Sequence, residues 1–117
     1  MTKREVKFAG EALEKMESLE KLAYNNSFSK KLFYKILKTV EKIEEGSYLD
    51  SDIFRKIIGT RKAWEIRVSF NKESHRFYGL YEKNDLVIMR YYLSKKSRKT
   101  PKRIIEKLKR DEQNHNM

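Results

Sequence analysis

"WEIRVSFNKESHRFYGLYEKNDLVIMRYYLSK", residues 64–95, is where the chain stops repeating every three or four residues and begins to alternate. Trp64, Ile66, Val68 and Phe70 interleave with Glu65, Arg67 and Ser69, the pattern of a strand with one apolar and one polar side. NKES predicts a turn, HRFYGLYE a second strand, KND a tight turn and LVIMRYYLSK a third strand. Strands joined by links this short pair antiparallel. Alternation also assigns faces: with Trp64, Ile66 and Val68 toward a core, Arg67 points away. A self-consistent register then gathers Arg67, Arg76, Tyr78, Arg90 and Tyr92 on one open face.

Upstream, REVKFAG predicts a short first or edge strand, because Val6 and Phe8 alternate with Glu5 and Lys7. From Glu11 onward Ala12, Leu13, Met16, Leu19, Leu22 and Ala23 trace one apolar stripe on a helix. YNNS interrupts it. Ser27 or Ser29 then caps a second helix whose stripe is Phe33, Ile36, Leu37, Val40 and Ile43, and Gly46 supplies the stop. The outer faces mix signs, as with Glu14 beside Lys15 and Glu41 beside Lys42, so residues 11–45 read as scaffold. Downstream, Thr100 and Pro101 predict the N-cap and first position of a last helix carrying Ile104, Ile105 and Leu108 on one face. DEQNHNM lacks such a pattern and is expected to be disordered. The class is α+β: an N-terminal strand and helical hairpin packed on a small, mainly antiparallel sheet, with a C-terminal helix. One domain is expected over residues 1–112, with a disordered tail at 113–117.

Composition narrows the chemistry. The 117 residues are 38% apolar and 38% charged, which gives a thin core under a heavily charged surface. The absence of cysteine excludes a disulfide framework, a thiolate zinc site and a cysteine nucleophile. No segment has the length or apolarity of a signal or membrane span, so a soluble, cytoplasmic protein without membrane contact is expected. Asp52, Glu65, Glu73, Glu82 and Asp85 lack the spacing of a helical two-ligand site, and four glycines do not make a phosphate loop. No metal and no cofactor are expected. The net charge of +11 is concentrated: residues 1–51 hold 10 basic and 9 acidic residues, and residues 52–117 hold 18 and 8. That asymmetry fits a polyanion footprint, nucleic acid before membrane.

The predicted face suits single-stranded RNA. Guanidiniums hold phosphate oxygens bidentately, and a tyrosine ring accepts an unstacked base. Lys95, Lys96, Arg98, Lys99 and Lys102 crowd the exit from the third strand and the start of the last helix. Tyr78, Arg90, Tyr92, Arg98 and Lys102 are therefore expected to contact RNA.

FRKIIGTRKAWEIRVSF, HRFYGLYE and YYLSKKSRKTPKRIIEKLKR together resemble successive signatures of the RelE/HigB toxins of type II toxin-antitoxin systems, in their HigB-like branch. The combination of Trp64-Glu65-Ile66-Arg67, Arg76 and Lys95-Lys96-x-x-Lys99-Thr100-Pro101 carries the resemblance. It implies a RelE-like, microbial-RNase-like fold and a ribonuclease that cleaves mRNA in the ribosomal A site. It also implies a helix-turn-helix, HigA-like antitoxin as partner, with DNA met only through the antitoxin complex. Carried over by motif position, Arg67, Arg76, Lys95, Lys96 and Lys99 become the catalytic candidates. The chain departs from the pattern at His75, where tyrosine is common, and at Arg90 and Leu93.

Metal-independent cleavage would use the substrate's own 2′-hydroxyl, leaving a 2′,3′-cyclic phosphate and a 5′-hydroxyl. Arg67 and Arg76 would clamp the phosphate, and a lysine whose pKa is depressed by its neighbours, or less readily Tyr78, would move the proton. Glu65 reads first as the ion-pair partner of Arg67. Alternation puts His75 opposite Arg76 and His115 falls in the tail, which argues against either as the base. Two other functions stay open: a non-catalytic RNA- or ribosome-binding module using the same patch, and a ParE-like toxin that inhibits gyrase.

Overall fold

In the computed structural model, which describes residues 4–49, 51–95 and 99–115 without the side chains of Lys95 and His115, the alternating stretch forms three neighbouring strands. The element order is β1 (Glu5–Phe8), α1 (Gly10–Ala23), α2 (Ser27–Glu44), β2 (Phe54–Lys56), β3 (Ala63–Phe70), β4 (Glu73–Tyr81), β5 (Leu86–Lys95) and α3 (Lys102–His115). The sheet order is β1-β5-β4-β3-β2. All pairs are antiparallel except β1 with β5, where Glu5 lies opposite Leu86. The α+β architecture is the expected one, and β1 is an edge strand. The three-residue β2 is the other edge, and alternation over 64–95 gave no hint of it.

Turn chemistry fixes the register. Phe70 pairs with Glu73, leaving Asn71 and Lys72 as a two-residue turn with φ of 51° and 66°, the left-handed pair whose twist suits a tight hairpin. Glu73 and Ser74, expected in the turn, begin β4. Asn84 and Asp85 take the same conformation before β5. The helical hairpin forms as expected, with one difference: the side chain of Asn26, not Ser27 or Ser29, accepts the Ser29 N–H at 3.1 Å. Gly46, at φ 100°, ends α2 by donating to the Ile43 carbonyl.

A single irregularity changes which residues share a face. Tyr78 pairs with Tyr91 but Gly79 with Met89, so Arg90 is the extra residue of a β-bulge. Gly79 permits it, since a Cβ there would sit 1.9 Å from the Ile88 carbonyl oxygen. Before the bulge Val87 and Met89 face the helical hairpin; after it Tyr92 does, and Tyr91 and Leu93 face the other way.

Each face carries its own core. Ile36, Val40 and Ile43 of α2 and Ala12, Met16 and Leu19 of α1 pack on Ile66, Val68, Phe77, Val87 and Met89. On the opposite face Ile104 and Leu108 of α3 seal Ala63, Tyr78 and Leu80. α3 starts with the Pro101 carbonyl accepting from Ile105 at 3.2 Å, one position later than a first-position proline. It continues through His115, so residues 113–115, expected to be disordered, are helical. The reason is long-range: Glu112 is buried and its carboxylate accepts the backbone N–H groups of Arg61, at 2.7 Å, and Lys62. The Tyr91 hydroxyl donates to Asp111 at 2.6 Å.

Candidate functional site

Among the described residues, α3 covers the part of its face nearest the β4–β5 turn and leaves the end toward the β3–β4 turn uncovered. There Arg67 and Arg76 are directly opposed on neighbouring strands. Arg67 gives its N–H to the Ile53 carbonyl on the β2 side, at 2.8 Å. The arginine pair is therefore of the non-hydrogen-bonded kind, which brings cross-strand side chains closest, with Cα atoms about 4.5 Å apart. Like charges so placed repel. The repulsion is answered partly from beneath: the Arg67 guanidinium donates to Oε1 of the buried Glu65 at 3.0 Å, and Arg55 Nε stands 3.5 Å from the same oxygen. Nε of Arg67 is buried without a hydrogen-bond partner. Arg76, 1% exposed, donates from Nε to the Ser74 hydroxyl at 3.2 Å and from Nη1 to the Lys99 carbonyl at 3.5 Å.

Both arginines line a cleft of about 670 Å³ that also takes in Lys35 and Thr39 from α2, Asp52, and Arg55 from β2. The Lys35 ammonium donates to the Ser69 carbonyl, tying the helix to the hairpin rim. Four cations against one lining carboxylate make a concavity of positive character, with the hydroxyls of Ser69 and Ser74 also in its lining.

The expected site residues divide. Arg67 and Arg76 come together, with the Lys99 carbonyl beside Arg76; Lys95 is registered opposite Ser74, and Lys102 is exposed at the start of α3. Lys96 and Arg98 lie outside the described residues. Two assignments need correction. Tyr92 is on the opposite face because the bulge at Arg90 reverses the alternation: it pairs with Phe77, and its hydroxyl meets His75 Nδ1 at 2.6 Å. Arg90, as the bulged residue, has no cross-strand place beside Arg76, which Leu93 takes. Tyr78 shares the face of the arginines but is wholly buried under α3, so its ring offers no platform for a base. Burial, and then the Glu65 carboxylate, push its hydroxyl up to about 12, which opposes a role as proton acceptor near neutrality.

His75 lies on the helical-hairpin face, as alternation required. Burial holds its pKa below the usual value, against the pull of Glu73, 3.8 Å away. Lys35 and Arg55 were not foreseen. Arg55 was findable, since Phe54-Arg55-Lys56 repeats the inward-outward step of β3; Lys35 sits on a helix face that reads as solvent. Among the described residues no group of three or more His, Asp or Glu is placed to hold a metal ion. No helix among them is long and apolar enough to cross a membrane.

Compared with known proteins, the family described as phage derived protein Gp49-like (DUF891) matches over residues 23–111. No curated protein and no solved structure matches.

Proposed function

The chain belongs to the phage-derived Gp49-like family, a RelE-like toxin-antitoxin family with an antitoxin as partner, and on that premise we propose that it is a metal-independent endoribonuclease toxin acting on ribosome-bound mRNA in the cytoplasm. A HigB-like toxin with a helix-turn-helix, HigA-like antitoxin is the form this reading takes. The observation that carries it is the Arg67–Arg76 pair at the open end of an otherwise sealed face, in a cation-lined cleft.

The chemistry follows from that arrangement. The 2′-oxygen of the ribose attacks the adjacent phosphorus in line, the bond from phosphorus to the 5′-oxygen breaks, and the 2′-proton leaves to a base as the 5′-oxygen gains one. Negative charge grows on the two non-bridging oxygens. Arg67, held by Glu65 with one N–H unused, meets that charge with fixed donors, and Arg76 does so from the neighbouring strand. Fixed donors of this kind lower a barrier by about 3–4 kcal/mol in acyl transfer. Lys95, Lys96 and Lys99, carried over by motif position, are the proposed proton carriers.

The test is end-group analysis of mRNA on purified ribosomes. Cyclic phosphate and 5′-hydroxyl termini are expected with the native chain, and a loss of about 10²- to 10³-fold in rate with Arg67→Ala. Arg67→Ala is preferred to Arg76→Ala because Arg67 is less deeply buried. A non-catalytic RNA-binding module is the second reading, favoured by the position of His75, which puts the one described imidazole on the wrong face. Tight binding without scission selects it.

A further inference from the structure

A second cleft, also about 670 Å³, is lined by Lys56, the neighbour along β2 of the Arg55 that lines the first. Arg4, Lys56, Arg61, Lys62 and Lys83 line it, with Glu82 as the one carboxylate among its lining residues. Its wall is aromatic. The half-buried Trp64 stacks on Phe54 at 4.7 Å and 28°, and the Tyr81 ring stands 6.0 Å from it. Arg4 lies over the Phe54 ring at 5.5 Å, donates to the Ile43 carbonyl at 3.3 Å, and keeps a buried Nε without a hydrogen-bond partner. The cleft is also braced: Glu112 fixes the backbone of Arg61 and Lys62, and the Tyr81 hydroxyl donates to Asp85 at 3.0 Å.

We propose that this cleft is a subsite for single-stranded RNA, taking an unstacked base against Trp64 while Lys56, Arg61 and Lys83 hold the flanking phosphates. The inference rests on the reading of the chain as an RNA-acting toxin and extends it to a second point of grip. An indole beside a ring of cations is the composition that recognises single strands without sequence readout, and the volume suits a nucleotide-sized group. Continuity supports one ligand for both clefts. Arg55 lines the first cleft and Lys56 the second, and these neighbours are about 3.8 Å apart along the chain, so a strand crossing the β2 edge meets both. An acidic peptide would satisfy the cations but has no need of the indole.

Trp64 is the only tryptophan, so its emission reports this cleft alone. The full-length chain is titrated with a single-stranded 2′-O-methyl oligoribonucleotide, which lacks the attacking hydroxyl, while fluorescence anisotropy of a label on the oligonucleotide reports total binding. Saturable quenching of Trp64 is expected at the concentration where anisotropy rises. Lys56→Glu and Lys83→Glu, both surface changes, are expected to weaken binding and to flatten the plot of log K against log salt by about 0.7 per lost phosphate contact. Binding by anisotropy with unchanged Trp64 emission overturns the subsite and spares the first cleft. Equal quenching by a duplex of the same composition, or stronger quenching by a polyglutamate peptide, also overturns it. No binding by either readout removes the subsite together with its premise, whereas quenching retained in a chain that fails to cut RNA keeps the subsite and refutes the nuclease.

Discussion

Glu112 tests the way the C-terminal helix is held. The residue is 3% exposed, and its carboxylate accepts two backbone N–H groups, from Arg61 and Lys62. Hydrogen bonds to a charged acceptor contribute about 1.5–3 kcal/mol each. Glu112→Ala removes both and leaves two amides short of a partner, while relieving the cost of burying a charge. The net loss should fall at about 2–4 kcal/mol. At about 2.1 cal/mol/K per residue, a chain of this length loses about 4 °C in Tm for each kcal/mol, or about 8–16 °C. Glu112→Gln keeps an oxygen able to accept from both amides but loses the charge, so about half the effect is expected. Urea unfolding followed by far-ultraviolet circular dichroism gives the free energy, and hydrogen exchange at Arg61 and Lys62 reads the two bonds directly. An alanine variant within about 0.5 kcal/mol of the native chain, with those amides already unprotected in the native protein, would refute the docking of α3 at its end.

Gly79→Ala should be strongly destabilising, because its Cβ would fall 1.9 Å from the Ile88 carbonyl oxygen and 2.6 Å from the Met89 Cα; a loss of about 3 kcal/mol or more, or no soluble protein, is expected, and a native-like melt would disprove the close approach. Tyr78 and Tyr91, both pushed up to about 12 mainly by burial, should titrate at 295 nm well after ordinary tyrosines, and Tyr78→Phe should remove one late step. Because the unfolded chain releases these protons near pH 10, the stability they supply is complete below pH 10 and is lost as pH rises toward 12. His75 carries the opposite sign in pH: burial lowers its pKa, the unfolded state binds the proton more readily below about pH 6.5, and acid therefore destabilises the fold. His75→Asn should flatten the fall in stability between pH 7 and pH 5, and an unchanged slope would show that this imidazole is not buried neutral.

What alternation can and cannot disclose is visible at Tyr92. The period of two ran cleanly from Trp64 to Phe70 and from His75 to Leu80, because one face of each strand packs on the helical hairpin and the other turns away from it, and the left-handed Asn71-Lys72 turn sets their register. Alternation put Arg67 and Arg76 on one face from the sequence alone, whereas their direct opposition follows from a two-residue turn at Asn71-Lys72 in place of the four residues NKES. Past Gly79 the same rule fails, since one extra residue in β5 turns every later side chain over. Gly79 was the available signal, as a glycine inside a strand marks a bulge or a close approach. The helical end of the chain was hidden for another reason. Asp111 and Glu112 look like solvent-facing acids, and only Tyr91 and the 61–62 backbone, distant in sequence, make them anchors. Asn26 was missed by a single position because it, Ser27 and Ser29 are all competent caps.

The bulge and the anchored helix together explain why the charge at the open end can be functional. With Tyr92 turned to the other face, Tyr91 and Leu93 give α3 an apolar seat beside Tyr78 and Leu80, and α3 dries that half of the face. The polypeptide entering the helix then passes Arg76 closely enough for the Lys99 carbonyl to accept from it. Two opposed guanidiniums are thus held at the border between a sealed core and water, where an anion is attracted more strongly than at an open surface. Loosening α3 by Glu112→Ala in a Lys56→Glu, Lys83→Glu background, where the second cleft is already disabled, should therefore weaken oligonucleotide binding at the first cleft, although the hydrogen-bond partners of Glu112, Arg61 and Lys62, do not line it. That coupling separates a site built by helix docking from one that belongs to the β3–β4 hairpin alone, for which affinity would follow Arg67 and Arg76 and ignore the helix.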